Sequence, residues 1–60
     1  MTDDEIVTRL RGLQREASAL RAAAGSPALA RHMELVELSC HMARWELGDV
    51  KAMTPELDRL

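Results

Sequence analysis

Three consecutive residues near the middle of the chain, Gly25-Ser26-Pro27, constrain its fold more than any other feature. Glycine readily takes the left-handed conformation that closes a helix, and serine caps the start of the next one. Proline fits the first helical position, where its missing N–H leaves no bond unmade. One helix is therefore expected to end at about Ala24 and a second to begin at Pro27, across a turn so tight that the two must run antiparallel. The start of the first helix is equally marked. Thr2 and Glu5 have the spacing of a capping box, and Met1 and Ile6 that of a hydrophobic staple. Asp3, Asp4 and Glu5 place negative charge where the helix dipole favours it. Gly48 is the stop signal for the second helix after Leu47. Thr54-Pro55-Glu56 repeats the start signal for a short third helix or turn. The fold class is all-α: one helical-hairpin domain over residues 1–60, with helices at about 3–24, 27–47 and 55–60.

Apolar periodicity supplies the faces. Ile6, Leu10, Leu13, Ala17, Leu20 and Ala24 follow a 4-3-4-3-4 spacing, an a/d seam. Leu29, Met33, Val36, Cys40, Ala43 and Leu47 repeat it in the second helix and are expected to pack against the first. The second helix also carries Leu35, Leu38, Met42 and Trp45, spaced 3-4-3 and centred about 160° from the first set. A helix with one partner needs one stripe, so the second helix is expected to be contacted on two sides. His32, Ser39 and Glu46 lie between the stripes at heptad spacing, a pattern that fixes register in helical assemblies. A two-fold axis near Ser39 would set His32 of one copy against Glu46 of the other. The expected self-association or partner interface is thus Leu35, Leu38, Met42 and Trp45 with His32, Ser39 and Glu46. Glu34, Glu37, His41 and Arg44 are assigned to the solvent edge.

Size makes association the natural expectation. A chain of 60 residues buries only about 60% of its unfolded surface and is marginal alone. Its single cysteine excludes an internal disulfide, and its Cys and His residues lack zinc-finger spacing. Pairing of hairpins into a homodimeric four-helix bundle would supply what those staples do not.

Composition narrows the function classes. Eight basic residues stand against ten acidic ones, for a net charge of −2. Trp45 is the only aromatic residue, which argues against base stacking as a binding mode. His32, Cys40 and His41 diverge around one helix, and Glu34, Glu37 and His41 share a face without carboxylates from other helices to complete a metal set. Cys40 falls in an apolar stripe and reads as a small hydrophobe. No nucleophile–base arrangement or phosphate loop is present. The expectation is a non-enzyme with no catalytic residue, cofactor or metal: a homo-oligomeric adaptor or regulator that binds another protein. The alternative is a small nucleic-acid-associated regulator, antitoxin-like or an accessory repressor component. Arg9, Arg11, Arg15 and Arg21 in the first helix favour it, although the overall charge argues against nucleic acid. The acidic start, the short apolar runs and the lone thiol point to a cytoplasmic chain with no membrane span.

Overall fold

The computed structural model describes residues 1–54; the expected short helix over 55–60 lies outside the described residues. Two helices, α1 (Asp3–Ala23) and α2 (Pro27–Glu46), pack against each other, and the described residues contain no strand. The Thr2 hydroxyl accepts from the Glu5 N–H at 3.2 Å and donates to the Glu5 carboxylate at 3.2 Å. Glu5 therefore returns to the cap side chain, where a full capping box would have it bond the cap backbone. Ser26 caps α2 through the Leu29 N–H, also at 3.2 Å, with Pro27 in the first turn.

The turn between the helices is made without a left-handed residue, contrary to the expectation for Gly25. Gly48 alone among the described residues has a positive φ. Ala24 is already extended at φ −62°, ψ 133°, and its N–H bonds the Arg21 carbonyl at 3.3 Å. Ser26 must be extended to cap α2, and the proline after it disfavours helical backbone. The chain thus straightens one residue earlier than glycine alone would dictate.

The end of α2 is a complete Schellman motif. Gly48 turns at φ 77°, its N–H bonds the Trp45 carbonyl at 3.0 Å, and the Asp49 N–H bonds the Arg44 carbonyl at 2.8 Å. This turn sends the following residues back along the hairpin.

The line of contact between α1 and α2 departs from the expected seam. Ala17, Cys40 and His41 are the buried residues among those described. Arg21 reaches Glu37, and Arg44 reaches Gln14, so α1 and α2 meet along Gln14, Ala17 and Arg21 on one side and Glu37, His41 and Arg44 on the other. His41, Glu37 and Arg44, assigned above to the solvent edge, are therefore drawn against α1; Glu34 is exposed. The small Ala17 allows the helices to close there, and the long polar side chains above and below pair across the gap.

Each seam is consequently rotated outward by about 70° at 100° per residue. Because the helices are antiparallel, the two rotations bring both seams to the same side of the hairpin. Leu13 and Leu20 of α1, Leu29 and Val36 of α2, and Leu47 just beyond it stay 37–57% exposed. Among the described residues no side chain reaches full burial, and the Cα trace is only 13 Å across its thinnest direction. The hairpin is a single layer.

Candidate functional site

The opposite side of the layer is polar along α1 and the helix contact, with the second stripe of α2 at its far edge. Arg11, Gln14, Arg15, Ser18, Glu37 and Arg44 line an open groove of about 350 Å³. Residues 49–52 return over this side and are tied down at two points. The Asp49 carboxylate accepts from Arg44 Nε at 2.7 Å and from Arg11 Nε at 3.0 Å, with a second bond from the Arg11 guanidinium. Farther on, His41 donates its Nε2–H to the Ala52 carbonyl at 2.9 Å. Glu37, on the same face of α2 as His41, accepts two bonds from Arg21, one of 3.3 Å to its Oε1.

Electrostatics follow from these contacts. The hydrogen bonds from Arg11 and then Arg44 hold the Asp49 carboxyl below the ordinary aspartate range. The Arg11 and Arg21 guanidinium groups are raised by their bonds to Asp49 and Glu37. Cys40 is a free thiol beside the helix contact; burial pushes its pKa up, and the charge of Arg44 works against that rise. Such a thiol is poorly suited to nucleophilic attack. Among the described residues, no three His, Cys, Asp or Glu side chains are grouped as a metal ion would need. No helix among them is long and apolar enough to cross a membrane.

Two apolar surfaces remain. The first is the residue set picked from the second stripe of α2. Leu35, Met42 and Trp45 are about 40% exposed, Leu38 is half-buried, and His32, Ser39 and Glu46 are exposed beside them. The second surface was not assigned from sequence: Leu13, Leu20, Leu29, Val36 and Leu47, the seam residues that the hairpin itself leaves open. Their spacing marked them as a face, and only the position of the helix contact shows that α1 and α2 leave it uncovered. Asp49 was also missed. Its signal is local and legible afterwards: it follows the stop glycine and stands five residues after Arg44. Comparison of the chain with protein-family models, with curated proteins and with solved structures finds no match.

Proposed function

We propose that the chain is a non-enzymatic interaction protein, a homo-oligomeric helical hairpin that binds or regulates another protein. One observation carries this reading: the hairpin is one layer thick and keeps its largest apolar side chains on the outside. Stable domains are built from at least two packed layers around a core. A second layer from another chain would give these side chains a core, and pairing of two hairpins would make a four-helix bundle. Exposed apolar patches on a small chain mark association surfaces more often than catalytic ones. The stripe Leu35, Leu38, Met42 and Trp45 offers a further surface for a protein partner, with methionine and tryptophan side chains that suit a docked helix.

The nucleic-acid reading draws on the arginines of α1, and two of the four are engaged. Arg11 is bonded to Asp49 and Arg21 to Glu37, which halves the arginine charge that α1 can offer to phosphates. Sedimentation equilibrium over a wide concentration range tests the association reading. The expected result is a mass that is a multiple of 6.7 kDa, with thermal unfolding that moves to higher temperature as concentration rises. A 6.7 kDa species at every concentration would refute it.

A further inference from the structure

We infer that a second copy of this chain covers the face formed by Leu13, Leu20, Leu29, Val36 and Leu47, open layer against open layer. The inference rests on the homo-oligomer reading and assigns the surface that does the work.

Area decides between the two candidate faces. A helix of about twenty residues is about 30 Å long and about 10 Å wide with its side chains. The second stripe of α2 alone therefore offers about 300 Å² per copy, or about 600 Å² in a pair, which is the size of an incidental contact. The two-helix face offers about 600 Å² per copy and about 1,200 Å² in a pair, which enters the range of specific interfaces.

Charge points the same way. At 100° per residue, the positions directed to this side are Ile6, Leu13, Leu20 and Ala24 from α1, and Leu29, Met33, Val36, Cys40 and Ala43 from α2 with Leu47 beyond it; Ala17 lies towards the helix contact. The centre of the face carries no charge, since burial keeps the Cys40 thiol neutral; Arg9 and His32 stand at its two outer edges. Two identical faces therefore meet through uncharged centres, as a two-fold contact between like surfaces requires.

Relief supports close packing as well. The Arg21–Glu37 and Gln14–Arg44 pairings put Ala17, Cys40 and Ala43 at one level along the hairpin. Leu13 and Leu47 stand towards one end, and Leu20 and Val36 towards the other. Small residues at the middle let facing helices approach, while the larger ones on both sides fill the space beyond. The other side, in contrast, is crossed by the chain's own residues 49–52 through Asp49 and His41. A second copy there would have to displace these bonds.

The test uses the full chain, half of it carbon-13-labelled and half unlabelled, in an isotope-filtered NOE experiment, with the mass followed by sedimentation. Intermolecular NOEs are expected from the Leu13, Leu20, Leu29 and Val36 methyl groups. In parallel, Leu20→Glu with Val36→Glu should weaken dimerisation about a hundredfold or more, whereas Leu35→Glu with Met42→Glu should leave the dimer mass in place. Intermolecular NOEs confined to Leu35, Met42 and Trp45 would overturn the assignment of the face while leaving the homo-oligomer reading intact. A wild-type chain that sediments as a monomer throughout would overturn both.

Discussion

Arg44 and Asp49 are joined twice. The Asp49 N–H bonds the Arg44 carbonyl at 2.8 Å as part of the Schellman turn, and Arg44 Nε bonds the Asp49 carboxylate at 2.7 Å. The backbone bond sets where Asp49 lies, and the side-chain bond holds it within reach of Arg11 on α1. A local helix-ending motif is thereby converted into a tertiary tie between the two helices.

Gly48→Ala should destabilise the protein by about 1–2 kcal/mol. A Cβ at this position meets nothing within 4 Å, so crowding by neighbours contributes nothing. The loss comes from holding an L-residue at φ 77°. Urea unfolding at fixed protein concentration measures it. Gly25→Ala is the matching control. Gly25 lacks a positive φ and its added Cβ also meets open space, so the variant should gain about 0.4–1 kcal/mol through a less flexible unfolded chain.

Asp49→Asn should flatten the acid limb of the stability curve. The folded pKa of Asp49 lies below its unfolded value because Arg11 and Arg44 bond the carboxylate. Its contribution is therefore fully present above the unfolded pKa, near 3.9, and is lost as pH falls through the folded value. The wild type should exceed the variant in stability at pH 6, and the gap should narrow as pH falls through the folded pKa towards 2. Urea titrations at a series of pH values read the difference directly.

Ser26→Ala should cost about 1 kcal/mol, the usual loss when a side-chain cap is removed from a helix start. The Ser26 hydroxyl accepts from the Leu29 N–H, which the variant leaves to water. Amide exchange should accelerate first in the opening turn of α2.

Cys40 should react slowly with aromatic disulfide reagents in the folded protein. It is 7% exposed, and burial raises its thiol pKa, so the reactive thiolate is both scarce and shielded. Reaction should speed up in step with urea unfolding, whereas rapid labelling of the native protein would show an opening at the helix contact.

How far the sequence was legible depended on the range of each interaction. Thr2, Ser26-Pro27 and Gly48 act within a few residues of themselves, and their signals were readable without knowing the fold. Gly25 was misread because two local rules compete there, and the demands of Ser26 and Pro27 on the preceding backbone prevailed. The apolar seams were visible, but periodicity defines a face and is silent on what covers it. Leu13 and Val36 therefore looked like hairpin core. Glu37, His41 and Arg44 looked like solvent residues because their partners, Arg21, Ala52 and Gln14 with Asp49, are remote in sequence or lie beyond the helix. Only the position of the small Ala17 hinted that the contact could shift towards them.

The returning segment after Gly48 has a consequence for the size any assembly can reach. It occupies the polar side of the layer through Asp49 and Ala52, so the two sides of the hairpin are not equivalent. Copies that meet through their open sides would turn these fastened segments and the second stripe of α2 outward, so the outside of a pair differs from the face that made it. A layer with the same open face on both sides would instead invite a third copy onto the second and a fourth onto the third. The bonds that Arg11 and Arg44 make to Asp49 would thus help to separate a finite particle from an open-ended stack.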